Sequence, residues 1–261
     1  MDDDPDVSWR FVDGFAAGTS HLDAETPCQD RSACRVVAVP GGDVLVCVVS
    51  DGAGSAAHSD AGAQAVCDVL LAQAVDAVHG THGLDAIGDD DVAAWFALAR
   101  EHVRALAREA GCEPREYAAT ALLAIAGADG TICAQIGDGA IALRERPGAP
   151  FEIAVWPENG EYANHTYFVT DDDAGEHVSL RRFAPARDVV ALTDGLQSLA
   201  LEFASRSAFP RFFEPLVETV RDASADDGAL RDALIAYLGS DAINARTDDD
   251  KCLAIGCRIG T

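Results

Sequence analysis

Asp51-Gly52, Asp138-Gly139 and Asp194-Gly195 each follow an apolar run of this 261-residue chain, and Asp248-Asp249-Asp250 precedes another. A carboxylate at a strand end offers a hard oxygen ligand at a fixed place, and a following glycine lets its own carbonyl come close to a ligand. One Asp-Gly pair is also an ordinary turn. Four acidic strand ends in one chain point instead to one convergent site for a hard cation. The runs Asp89-Asp90-Asp91 and Asp171-Asp172-Asp173 read as a helix start and a turn. His79 and His82 are spaced like ligands, but they sit in a glycine-bearing loop without supporting Cys or acid spacing and read as surface residues.

The elements that must hold these acids follow from periodicity. Trp9–Ala17 suits a strand, residues 18–30 a polar loop, and Arg31–Val39 with Asp43–Ser50 a hairpin about Pro40-Gly41-Gly42. After Ser55 the period becomes helical to about His79, and a second helix covers Asp90–Ala110, closed by Gly111. Strands are expected at 118–126, 131–136, 140–144, 151–156, 166–170, 178–183 and 188–192, with a polar connection at 157–164. A helical zone over 196–238 follows, broken near 207–210 and at 226–228, and then a last strand at 251–259 carries Leu253, Ile255 and Cys257 on one face. Runs of strands and runs of helices, without strict alternation, predict an α+β fold, a four-layer α-β-β-α sandwich of two antiparallel sheets flanked by helices. Residues 1–8 read as a frayed acidic terminus and 9–261 as a single domain.

Composition narrows the function. With 44 acidic and 19 basic residues the net charge is -25, which opposes nucleic acid and anionic lipid. No run of about 18 apolar residues stands out as a membrane span. The start Met1-Asp2-Asp3-Asp4 lacks the basic and apolar regions of a secretory leader, so a reducing cytoplasm is expected. The eight cysteines include no CxxC pair; Cys34, Cys47, Cys67, Cys133 and Cys252 lie in apolar patterns and read as small buried hydrophobes. Cys28, in the polar loop, stands apart.

Taken in order, Pro27-Cys28-Gln29-Asp30, Val48-Val49-Ser50-Asp51-Gly52, Thr120-Ala121-Leu122-Leu123, Gln135-Ile136-Gly137-Asp138-Gly139, Leu192-Thr193-Asp194-Gly195-Leu196 and Asp249-Asp250-Lys251-Cys252-Leu253 resemble the motif set of the protein phosphatase 2C family, most closely its bacterial branch. The resemblance runs from about Phe15 to Ile259. It implies a metal-dependent serine/threonine phosphatase with a centre of two or three Mn²⁺ or Mg²⁺ ions. In that pattern Asp51 bridges two ions, the Gly52 carbonyl ligates the first, and Asp194 and Asp249 ligate the second. Asp30 acts through a bound water, and Asp138 joins Asp194 at a third ion. Such a pair of ions can generate a water nucleophile and neutralise phosphate oxygens. The implied partners are phosphorylated protein substrates, through a serine/threonine kinase or its targets.

Two departures bear on mechanism. Animal-type members carry a His directly after the metal-site Asp-Gly, where this chain has Ala53, and an Arg before the first Asp, where residues 19–29 contain neither Arg nor Lys. His21 is the candidate phosphate contact in that loop, and His58, His21 and water are the candidate proton donors. Three readings follow: a phosphoprotein phosphatase, a phosphatase-fold module that binds a phosphoprotein or kinase without efficient turnover, and a hydrolase of small phosphate esters.

Overall fold

The computed structural model describes residues 8–81, 83–157, 166–224 and 227–259. His82, Asp226, all of the expected frayed terminus but Ser8, and all of the 157–164 connection but Pro157 lie outside them. Twelve strands are described: β1 (Ser8–Ala16), β2 (Arg31–Val37), β3 (Val44–Ser50), β4 (Ala121–Ala126), β5 (Thr131–Ile136), β6 (Ala140–Arg144), β7 (Glu152–Val155), β8 (Ser179–Phe183), β9 (Asp188–Leu192), β10 (Leu201–Glu202), β11 (Ser207–Ala208) and β12 (Lys251–Ile259). The helices are α1 (Thr19–Asp23), α2 (Ser59–Gly80), α3 (Asp89–Ala110), α4 (Gln197–Ala200), α5 (Pro210–Asp222), α6 (Asp227–Leu238) and α7 (Asp241–Asn244).

Two five-stranded sheets form, ordered β1-β12-β9-β6-β7 and β2-β3-β4-β5-β8, and every pairing in them is antiparallel. The side chains of β3 show why they stack. All seven residues are buried, and period-two alternation divides them between two cores. Val44, Val46 and Val48 join Val66, Leu70, Val103 and Phe96 of α2 and α3. Leu45, Cys47 and Val49 face the other sheet, meeting Ile141, Val189, Ala191 and Ala254. On β12, Leu253, Ile255 and Cys257 turn outward to Phe213 and Val217 of α5 and Leu234 of α6. The layers are therefore α-β-β-α. At Gly256 the two sheets approach so closely that a Cβ would lie 2.1 Å from Leu45 Cδ2.

Helix α3 carries Asp89, Asp90 and Asp91 in its first turn, where the Asp91 carboxylate accepts the Gly88 N–H at 2.8 Å. It ends at Gly111 in the left-handed conformation, φ 71°. Helix α2 corrects one expectation. It is long and apolar enough by length and composition to cross a membrane, yet Val66, Leu70, Ala74 and Val78 pack in the core. Gly62 lies against the Tyr117 carbonyl, 2.1 Å from an added Cβ.

Other boundaries differ for local reasons. Residues 166–170 form no strand: the Phe168 N–H donates to the Asp171 carboxylate at 2.8 Å and the Thr166 hydroxyl to Asp138 at 2.6 Å, bonds that replace a ladder. The polar loop contains α1, started by Leu22 N–H donating to the Gly18 carbonyl. The break near 207–210 is the end of a β10–β11 hairpin, with Leu201 opposite Ala208.

Candidate metal centre

Register places every candidate acid at one end of the sandwich. Arg31 pairs with Ser50, Ala121 with Ile136, Leu192 with both Ala140 and Leu253, and Ala16 with Lys251. Asp30, Asp51, Asp138, Asp194, Asp249 and Asp250 are thereby the residues next beyond, or within four residues of, those paired ends.

Local bonds fix each one. Thr120 clamps Asp51: its hydroxyl accepts the Asp51 N–H at 3.0 Å and its own N–H donates to the Asp51 carbonyl at 2.8 Å. Gly52 follows in a bridge with Ala119. A Cβ there would meet the Gln29 carbonyl and Ser59 at 2.8 Å, so glycine is required by space. Thr166 holds the Asp138 carboxylate, and the Gln197 side-chain amide donates to the Asp138 carbonyl. The Thr193 hydroxyl donates to Asp30 at 2.7 Å while accepting the Cys252 N–H at 2.9 Å.

Carboxylate oxygens of Asp51, Asp138 and Asp194 lie within 4.8 Å of one another. They line a cleft of about 220 Å³ with His21, Gly52, Ala53, Thr166, Phe168, Asp249 and Asp250. Asp249 stands at its exposed rim. Asp30 is 1% exposed and lies behind the wall. Five carboxylates thus share a cleft whose described lining contains no Arg or Lys.

The electrostatic cost of that grouping appears in the carboxyl groups. Burial, then the Asp138 and Asp249 charges, push Asp194 up to about 6. Burial, then Asp30 and Asp194, push Asp51 well above the carboxylate range. Asp30 is raised chiefly by burial, against the Thr193 bond, and Asp138 by burial against the Thr166 bond. Clustered carboxylates that resist ionisation are a donor set a divalent cation would relieve.

The two histidines part company. His21, on α1, lines the cleft with Nδ1 2.7 Å from Asp250 Oδ2. His58 precedes α2, is exposed, and sets its ring 5.0 Å from that of Tyr117; it is not among the cleft-lining residues. Ala53 is buried with Ala56 and Ala118 against Phe168. Cys28 reaches its thiol to the Asp30 carbonyl at 3.9 Å, and burial with the Asp30 and Asp250 charges pushes that thiol up, the opposite of a reactive cysteine.

Asp250 is the residue that sequence reasoning passed over. Only 3% exposed, it accepts the Gly18 N–H at 2.7 Å and the Gln29 N–H at 2.6 Å, tying the 18–30 loop to the start of β12.

A family model described as "Protein phosphatase 2C" matches residues 17–238. The chain belongs to the protein phosphatase 2C family. A curated relative of this phosphatase, Serine/threonine-protein phosphatase 3 of Escherichia coli (strain K12), is 35% identical over 254 residues, 95% of this chain and 98% of that one. Among solved structures, PppA, described as a key regulatory component of T6SS in Pseudomonas aeruginosa, aligns with TM-score 0.63 and 18% identity over 97% of this chain and 99% of its own. Serine/threonine phosphatase Stp1 from Staphylococcus aureus aligns with TM-score 0.58 and 14% identity over 96% and 94%. At those identities the structures speak for the fold of the phosphatase.

Proposed function

We propose that this chain hydrolyses phosphoserine and phosphothreonine monoesters of proteins at a centre of two or three Mn²⁺ or Mg²⁺ ions, residues 9–261 acting as one domain. The observation that carries this reading is the convergence of Asp51, Asp138 and Asp194 from both sheets within 4.8 Å. Asp51, Asp194, Asp249 and the Gly52 carbonyl would hold two ions, with Asp138 serving a third. Bound there, the ions supply Lewis-acid charge that activates water and offsets the phosphate oxygens. Asp30, fixed by Thr193 and not among the described cleft-lining residues, would act on the ions through an intervening water, and the Thr120 clamp keeps Asp51 in place. His21 is the one described cleft side chain able to carry positive charge, which suits it to a phosphate oxygen or to the leaving alcohol.

The substrate partner is a phosphoprotein, a serine/threonine kinase or one of its targets, and the net charge of -25 opposes nucleic acid and anionic membranes. Eight free thiols support a reducing cytoplasm. Phosphate release from a phosphothreonine peptide with Mn²⁺ tests the reading: activity surviving Asp51→Asn or EDTA refutes it. The second reading, a binding module without efficient turnover, draws on Ala53 packed against Phe168 and the lack of Arg and Lys in the described lining. Tight phosphopeptide binding without Mn²⁺-dependent turnover would favour it.

A further inference from the structure

On the far side of one wall of the metal cleft lies a second cavity of about 460 Å³, lined by Trp156, Tyr167, Ser179, Arg181 and Arg206 among others. It opens where the edge strands of the two sheets, β7 and β8, come together. The wall is the segment Thr166-Tyr167-Phe168. Thr166 and Phe168 line the cleft, and Tyr167 between them lines this cavity.

The cavity's charge is opposite to that of the molecule. Several of the described arginines are spent on acids, as in Arg144 and Arg221 with Asp188, Arg182 with Asp89, and Arg104 with Asp172. Arg181 and Arg206 are among those that make no ion pair among the described residues, and they are set apart by facing one cavity whose described lining holds no acid. Arg182, one residue on, turns to Asp89 and the Ile87 carbonyl at α3, so strand alternation sends Arg181 to the β7 side. Arg206 is held over the Trp156 ring, 4.9 Å to its centroid, and Phe203 packs edge-on against the same ring at 5.7 Å. It does so from the left-handed backbone, φ 51°, that closes the Phe203–Arg206 turn of the β10–β11 hairpin.

We propose that Arg181 and Arg206 form an anion subsite that takes a phosphorylated or carboxylate residue flanking the scissile phosphoserine or phosphothreonine. The inference rests on the phosphatase reading of the neighbouring cleft and adds a substrate class to it: phosphoproteins with an anionic residue near the target. A guanidinium pair beside an aromatic face suits a phosphate or carboxylate bidentately. It also offsets, locally, a net charge of -25 that otherwise repels such substrates.

The test compares phosphothreonine peptides with alanine flanks, with an Asp or Glu, and with a second phosphoserine, the anion scanned across flanking positions on both sides. The readout is kcat/KM for each anionic peptide divided by that for the alanine peptide, in wild type, Arg181→Glu, Arg206→Glu and the double variant, with melting temperature as the check of folding. The ratio cancels any general loss of activity. A ratio above one in wild type at one or more positions, falling about tenfold (1.4 kcal/mol) in the double variant, is expected. The Asp/Glu and phosphoserine arms tell which anion is preferred. A ratio near one in wild type, or one the double variant leaves unaltered, overturns the subsite. Should wild type release no phosphate from any peptide or from p-nitrophenyl phosphate, the phosphatase reading fails separately. Calorimetric titration with the same peptides then decides the subsite: anion-selective binding lost in the double variant supports it, and equal binding of all peptides overturns it.

Discussion

Replacing Asp194 with Asn in the metal-free protein should raise its stability at neutral pH. Burial, then Asp138 and Asp249, hold the Asp194 carboxyl at about 6 against an ordinary 3.8. A carboxyl raised on folding binds its proton more tightly in the native state, so the metal-free protein loses stability as pH rises from about 3.8 through about 6. Above that window the full cost of about 3 kcal/mol applies, and at pH 5 about half of it. Asn keeps an acceptor oxygen and removes the charge. In EDTA at pH 7.5 the variant should melt about 6–12 °C above wild type, given 2–4 °C per kcal/mol for a chain of this size. The gap should halve at pH 5. With Mn²⁺ at about 1,000 times its dissociation constant, wild type should gain about 4.1 kcal/mol and the order should reverse. Differential scanning calorimetry at the two pH values, with and without metal, reads all of this. A variant less stable than wild type in EDTA at pH 7.5, or a gap independent of pH, would refute the electrostatic reasoning.

Thr193→Val should cost about 1–3 kcal/mol by urea unfolding, because it leaves the buried Cys252 N–H unpaired and frees Asp30. Gly195→Ala should cost at least about 3 kcal/mol by the same unfolding and weaken Mn²⁺ binding in a calorimetric titration, since its Cβ would lie 1.9 Å from the Asp250 carbonyl. His21→Ala should raise KM for p-nitrophenyl phosphate, whereas His58→Ala, on an exposed ring against Tyr117, should leave kcat and KM within about twofold; steady-state kinetics separates the two, and a His58 loss of kcat would contradict the assignment of the cleft.

Much of the fold is legible in the chain because burial is periodic. The seven apolar-rich residues of β3, the outward Leu253, Ile255 and Cys257 of β12 and the Trp95, Phe96, Ala99 and Val103 stripe of α3 each declare a face. Pro40-Gly41-Gly42 declares its turn through two positive φ angles. What stays hidden depends on partners distant in sequence. Residues 166–170 look like a strand by composition, yet Thr166 and Phe168 are committed to Asp138 and Asp171. The 201–208 hairpin lies inside a stretch of helical composition. In the site, strand-end Asp-Gly pairs mark Asp51, Asp138 and Asp194, while the anchoring role of Asp250 depends on Gly18 and Gln29, more than 200 residues away. His58 is near Asp51 in sequence, but the start of α2 carries it onto Tyr117.

The most direct test of the metal centre is the anomalous difference density of crystals soaked in Mn²⁺. Peaks within ligand distance of Asp51, Asp138 and Asp194, with Asp249 turned to one of them, are expected. Occupied Mn²⁺ elsewhere with none among these carboxylates, or none at any concentration that supports phosphate release, would contradict the assignment.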